Sequence, residues 1–159
     1  MDNLQINKPL WKSMLGELRR RGGGVRESGA FLLAQGETNI VVRFICYDDL
    51  DPTVLDSGII IFQGSGFVPL WNICLQDRLR VVADAHTHPG RWTDQSSSDS
   101  THPMVSTPGH LALIVPSFAL NKRQGLRGVG IFEYMGDHQW KQWTAYSGRV
   151  LLTETGVNP

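Results

Sequence analysis

The chain has 159 residues, of which 41% are hydrophobic and 19% charged. This composition predicts one globular domain over residues 1–159 with a buried core, and it excludes a disordered chain. Fifteen basic residues balance fifteen acidic ones, so nothing in the charge favours nucleic acid or an anionic membrane as a partner.

Helical and extended patterns follow one another in the first half of the chain. Residues 9–21 repeat apolar side chains at helical spacing and run into three glycines, which predicts an amphipathic helix. Residues 30–47 predict two strands joined by a turn at 36–39. A polar connection over 48–58 leads to the run IIIFQ at 59–63, which predicts a short buried strand.

The second half begins with a predicted helix over 68–79. Four predicted strands follow, all rich in β-branched or aromatic residues, at 80–88, 110–116, 128–135 and 139–147. Between the first two of these strands lies a serine-rich segment, 96–100, whose composition is typical of a flexible loop. The order of helix, strands, helix and strands predicts an α+β fold with a mixed sheet.

The cysteines and the first residues of the chain indicate where in the cell the protein is located. Cys46 and Cys74 lie far apart in apolar surroundings without a CxxC pair, so we expect two buried thiols and no disulfide framework. Residues 1–14 show no basic flank followed by an apolar stretch, which predicts no signal peptide. Apolar runs such as LALIV are too short to cross a bilayer. We therefore expect a cytoplasmic protein without a membrane partner.

A set of metal-ligating residues lies at the end of one predicted strand. His86 and His88 are two residues apart, so both imidazoles project from the same face, and Pro89 ends regular pairing. Asp99 can complete a set of two histidines and one carboxylate, which leaves the fourth position of a tetrahedral zinc ion open. Ser96, three residues before Asp99, can donate a hydrogen bond to a developing oxyanion.

A hydrolytic site of this kind also needs a general base. Glu27 is the candidate because it precedes the strand SGAFLLA, where a charged group can face a cleft, although an ordinary solvated glutamate fits the same pattern. Glu17, inside the predicted helix, and Glu37, in a turn, are weaker candidates.

Other residues near the predicted site remain open. His102 is a rival ligand because it follows Asp99 by three residues, and a place at the rim of the site is its alternative role. His110 and His138 are expected to be structural. Trp92, in the spacer between the histidines and Ser96, is expected either to line the leaving-group side of a cleft or to cover the loop.

Together these residues resemble the motif of the JAMM metalloproteases, also called JAB or MPN-plus proteins. The motif is an upstream Glu (Glu27), HxHP (His86–Pro89), a six-residue spacer and SxxD (Ser96–Asp99). The resemblance covers roughly residues 9–145 and implies zinc bound by the two histidines and Asp99, with Glu27 as the base and Ser96 as the oxyanion donor. The fold it implies is the cytidine-deaminase-like α-β sandwich, without the signatures of deaminase chemistry itself.

The sequence departs from the family pattern close to Glu27. Family members usually carry glycine at the third position after the glutamate and again after the apolar run. Here those positions hold Ala30 and Ala34, and Gly29 comes one position early. The replacements are small, so we expect the close packing to survive.

Members of the family mostly hydrolyse the bond after the C-terminal glycine of ubiquitin or a ubiquitin-like protein. The short chain resembles the compact prokaryotic branch, which is associated with bacterial antiphage conjugation operons. The resemblance thus implies a peptidase that matures a ubiquitin-like precursor and removes the modifier from its conjugates. Trimming of a sulfur-carrier protein is an alternative, and a non-catalytic MPN scaffold is another, which the intact ligand set disfavours.

Overall fold

The computed structural model describes residues 2–154, which form eight strands and four α-helices. In chain order they are β1 (Leu4–Asn7), α1 (Lys8–Gly22), β2 (Gly29–Gln35), β3 (Ile40–Cys46), α2 (Tyr47–Leu50), α3 (Phe67–Asp77), β4 (Leu79–Thr87), α4 (Ser97–Thr101), β5 (Leu111–Val115), β6 (Gly130–Gly136), β7 (Gln139–Trp143) and β8 (Val150–Thr153). Single 3₁₀ turns lie at Gly64–Gly66 and Ser117–Ala119.

All of these strands belong to one mixed sheet in the order β7-β6-β5-β4-β2-β3-β1-β8. β2 is antiparallel to both β3 and β4, whereas β4 and β5 are parallel. β1 pairs in parallel with β3 and with β8, so it joins the two ends of the described chain. The predicted α+β class with a mixed sheet is confirmed.

Helices cover both faces of the sheet, as the alternation along β2 shows. Ala30 and Leu32 pack in the cluster that contains the apolar side of α1, whereas Phe31 and Leu33 pack in the cluster that contains Leu70 of α3. Because both faces are covered, the sequence of β2 is continuously apolar and does not alternate between apolar and polar residues.

The predicted first helix is confirmed, and its ends have local causes. The Asn7 side chain accepts a hydrogen bond from the backbone N–H of Leu10 at 2.8 Å, which caps the first turn of α1. Gly23 ends the helix in the left-handed conformation, with φ of 59°, where glycine avoids the steric cost of a Cβ.

The strand predicted over residues 59–63 is wrong. This segment has no regular structure, and Ile59 and Ile61 are 58% and 50% exposed. Its backbone donors find local partners, since the N–H of Ile61 bonds to the carbonyl of Val54 and that of Gln63 to the carboxylate of Asp51. The serine-rich segment, in turn, forms α4 instead of a loop.

Both thiols are free, as expected, although only Cys46 is fully buried. Burial raises the pKa of Cys46 to about 12, so the group stays protonated at neutral pH. Among residues 2–154, none of the helices combines the length and the apolar character that a membrane-spanning segment requires.

Candidate metal centre

β4 carries both histidines to the end of the sheet. His86 lies within the strand and His88 directly after it, and both are buried, with 7% and 4% of their surface exposed. The backbone N–H of His88 still bonds to the carbonyl of Val115 at 2.9 Å, which extends the pairing with β5 past the strand end. The rings face the same side of the sheet because the residues are two apart.

Three donor atoms converge at this point. Nε2 of His86 lies 3.3 Å from Nε2 of His88. Oδ1 of Asp99 lies 3.3 Å from Nε2 of His86, and Oδ2 of Asp99 lies 3.3 Å from Nε2 of His88. Zinc bonds of about 2.0–2.1 Å at tetrahedral angles place neighbouring ligand atoms about 3.3–3.4 Å apart. The measured separations are of the size that a zinc site requires, and one ligand atom from each of the three residues lies within 4.8 Å of the others. His86, His88 and Asp99, called the donor triangle below, are therefore the residues that could hold the metal.

Asp99 reaches the histidines from a helix that its own side chain helps to form. Ser96 and Asp99 make a capping box: the Asp99 backbone N–H donates to Oγ of Ser96 at 3.1 Å, and the Ser96 N–H donates to Oδ2 of Asp99 at 2.8 Å. The carboxylate is thus oriented before any metal binds. Because Oγ of Ser96 acts as an acceptor in this box, its hydroxyl proton remains free to donate.

A second contact sets the tautomer of His88. Its Nδ1 lies 3.0 Å from the backbone carbonyl of Trp92, which accepts the Nδ1 proton and leaves the lone pair of Nε2 directed at the other donors. The Trp92 ring also stacks on the imidazole, with centroids 5.4 Å apart and planes 20° apart. Trp92 therefore supports a ligand directly as well as lying over the spacer.

Charge couples the carboxylate to the histidines. Burial raises the pKa of the Asp99 carboxyl, but the hydrogen bonds with His86 and His88 outweigh burial and hold that pKa well below its usual range. Burial lowers the pKa of His88, yet the hydrogen bonds to Asp99 and to the Trp92 carbonyl raise it above the ordinary histidine value. The Asp99 carboxylate is therefore ionised at neutral pH, and its negative charge favours a cation at this point.

Strand register brings Glu27 to the same site. Gly29 of β2 pairs with His86 of β4, and continuing this antiparallel register by two residues puts Glu27 opposite His88. The Glu27 backbone N–H bonds to the carbonyl of Gly58 at 3.0 Å, which fixes the segment before β2. Burial raises the pKa of the Glu27 carboxyl, and the two histidines offset only part of that shift.

One cavity of about 570 Å³ is lined by His86 and Asp99 together with Glu27. Its lining includes the polar residues Glu27, His86, Ser96 and Asp99. Many of the other lining residues are apolar: Ile59, Ile60, Ile61, Phe62, Phe67, Met104 and Trp140. The cavity thus places a candidate metal, base and hydrogen-bond donor around one volume. A larger cavity, of about 820 Å³, lies between α3 and the start of β4 and includes none of the polar residues named here.

Two residues near the donor triangle, Tyr47 and Asp84, are not part of the sequence motif. Tyr47 is fully buried against Gly29, where an added Cβ would lie 2.2 Å from its ring, so the close-packed position after Glu27 is residue 29. Asp84 lines the cavity and accepts a hydrogen bond from Nε2 of buried His110 at 2.6 Å. Period-two spacing from His86 could have identified Asp84, since both side chains project from one face.

The remaining candidates lie outside the triangle. His102 is exposed at the end of α4 and reaches only the rim of the cavity. Glu17 pairs with Arg20 and Arg21 on α1. His138 lies in the turn between β6 and β7. His110 is buried and bonds to Asp84.

No family model matches the sequence. The fold is similar to that of protein DSY2949 from Desulfitobacterium hafniense, known from a solution structure. The two share 17% sequence identity with a TM-score of 0.64, over 94% of this chain and 92% of that chain. At this level of identity, the similarity shows a common fold and carries no information about the reaction.

Proposed function

We propose that this chain is a zinc metallopeptidase of the JAMM type, with the cytidine-deaminase-like α-β sandwich fold of that family. The observation that carries the proposal is the convergence of His86, His88 and Asp99. The two Nε2 atoms lie 3.3 Å apart, and each lies 3.3 Å from a different oxygen of the Asp99 carboxylate. Glu27 and Ser96 open onto the same cavity, which is the arrangement that hydrolysis requires. The position of β2 and β4 between α1 and α3 supports the fold proposal.

His86, His88 and Asp99 would hold the zinc ion, which would supply Lewis acidity toward water and a substrate carbonyl. The residues of the chain complete the reaction. Glu27 takes a proton from water as the oxygen adds to the carbonyl carbon, and it returns that proton to the amine as the C–N bond breaks. The free hydroxyl proton of Ser96 stabilises the negative charge on the carbonyl oxygen.

The cavity favours a thin, extended substrate. A volume of about 570 Å³ accommodates a short peptide segment but not the body of a folded protein. A tail that ends in glycine is the slimmest peptide able to reach the donors. We therefore propose the bond after the C-terminal glycine of a ubiquitin-like protein as the substrate, in precursors and in conjugates of a bacterial antiphage system.

The test is incubation with a bacterial ubiquitin-like protein that is fused, after its terminal glycine, to a C-terminal extension. The zinc-loaded protein should release the extension after the terminal glycine, and a chelator should stop the release until zinc is restored. The matched control is the same fusion with the last glycine changed to valine, which should resist cleavage. Survival of the unmodified fusion, with cleavage of a sulfur-carrier fusion instead, would move the proposal to the sulfur-carrier alternative.

Ser96→Gly should lower kcat by about 10²–10³ while the zinc content stays the same. Glycine at an N-cap position costs only a few tenths of a kcal/mol, so α4 should persist and the loss should reflect the missing hydroxyl. Steady-state kinetics on the fusion substrate, with zinc analysis of the same sample, measures both effects. Ser98→Gly on the same helix is the control, and equal kcat for the two variants would remove Ser96 from the mechanism.

A further inference from the structure

α4 needs an anchor that places it relative to the sheet. No strand lies between Thr87 and Leu111 in the described chain, and Asp99 projects from the five-residue helix within this span. The capping box orients the carboxylate relative to α4 but does not fix α4 itself. A ligand must be held within about 0.5 Å of its working position for a site to be preorganised.

Trp140 of β7 supplies such an anchor. Its indole Nε1 donates a hydrogen bond of 3.0 Å to the backbone carbonyl of Ser100, the residue after Asp99. Within residues 2–154, this bond joins α4 to the sheet without passing through either histidine. The Trp140 ring also lines the cavity.

The indole is itself held rigidly. Its ring packs edge-on against Tyr134 of β6, with centroids 5.0 Å apart and planes 67° apart, next to the buried cluster of Ala112, Ile114 and Phe132. The Tyr134 hydroxyl accepts a hydrogen bond from the N–H of His138, which secures the β6–β7 turn. The Nε1 donor is therefore aimed at α4 by packed residues of the sheet.

We propose that Trp140 is a positioning residue of the metal centre, which acts through Asp99. Its bond to the Ser100 carbonyl holds α4 where the Asp99 carboxylate meets the two imidazoles. Partners that orient metal ligands typically change metal affinity by about 10–100-fold. The inference rests on the proposed function only in requiring that these residues bind zinc.

Trp140→Phe tests the inference because it keeps an aromatic ring against Tyr134 and removes only the indole N–H. The Kd for zinc, measured by competition with a chromophoric chelator, should rise about 10–100-fold. Trp143→Phe is the matched control, since the Trp143 indole donates to Glu133 at 2.8 Å, away from the cavity, and its loss should leave the Kd unchanged. Equal zinc affinity for Trp140→Phe and the parent would overturn the proposal.

A double-mutant cycle separates positioning from general loosening of the site. Asp99→Ala should keep only the weak zinc affinity of the two histidines, which is measured by titration at high zinc concentration. In this background, adding Trp140→Phe should leave that weak affinity unchanged, because the residue through which Trp140 acts is gone. If Trp140→Phe weakened zinc binding in this background by the same factor as in the parent, the proposal would be overturned. A parent protein that binds no zinc would overturn the metal centre as well, and this outcome is distinguishable from equal affinities of parent and variant.

Discussion

Asp99→Ala is expected to abolish stoichiometric zinc binding and hydrolysis together, while the fold persists. Asp99 contributes the third corner of the donor triangle, and two histidines alone leave zinc with half of its usual ligands. Metal analysis should find about one zinc per chain in the parent and almost none in the variant. Circular dichroism should show the same secondary structure in both proteins.

Asp94→Ala is the control for that experiment. Asp94 is an exposed carboxylate of the same spacer, so its loss changes the charge by the same amount without touching the triangle. It should retain both zinc and activity. Full zinc content and normal turnover in Asp99→Ala would exclude Asp99 from the ligand set. His102, which also lines the cavity, would then be the next candidate ligand.

The same zinc titration, repeated against pH, tests the electrostatics of the site. Burial lowers the pKa of His88, but its hydrogen bond to Asp99 outweighs burial, so the folded-state pKa lies above the ordinary histidine value. His88 must lose its proton before Nε2 can bind zinc, and affinity should therefore weaken as the pH falls through that raised pKa. The Asp99 carboxylate, with its pKa held low, stays ionised throughout this range. Constant affinity between about pH 8 and pH 6 would contradict the assignment.

Glu27→Gln should leave zinc bound and lower kcat by about 10²–10⁴, which is the usual contribution of a general base. Glutamine has the shape of glutamate but cannot accept the proton of an attacking water. Burial already raises the pKa of Glu27, so the native carboxylate is a stronger base than an exposed one. Kinetics on the fusion substrate and zinc analysis of the same sample measure the two quantities separately.

Glu37→Gln serves as the control for the base, because Glu37 is an exposed glutamate in the turn between β2 and β3. Its activity should equal that of the parent. Turnover by Glu27→Gln at the parental rate would show that another group takes the proton. Loss of zinc from this variant would instead make Glu27 a ligand, in conflict with its place outside the triangle.

The donor triangle could be predicted from the sequence because it depends on short spacings along the chain. Period-two spacing places His86 and His88 on one face, and the Ser96-to-Asp99 spacing is that of a capping box. Glu27 could be named from its position before a strand and from the motif, but its place opposite His88 depends on the register between β2 and β4. That register is a property of the assembled sheet.

Residues without a local signal were missed. β1 and β8 are four residues each and pair with one another across the chain, so neither shows a periodicity long enough to detect. Trp140 was assigned only to a strand, because its bond to Ser100 spans 40 positions. The run at 59–63 has strand composition, but the Asp51 carboxylate and the Val54 carbonyl bind its backbone locally.

The brevity of α4 has a consequence for the lifetime of a bound metal. A helix of five residues is not stable alone, and here it is held by its capping box, one indole bond and the contacts of Asp99. Such a segment can open while the sheet stays intact, and opening takes Asp99 away from the histidines. Metal release and melting of α4 are then one event, so residence time depends on the opening rate. Amide exchange at Ser100 and His102, whose N–H groups bond within this turn, would report metal occupancy without any substrate.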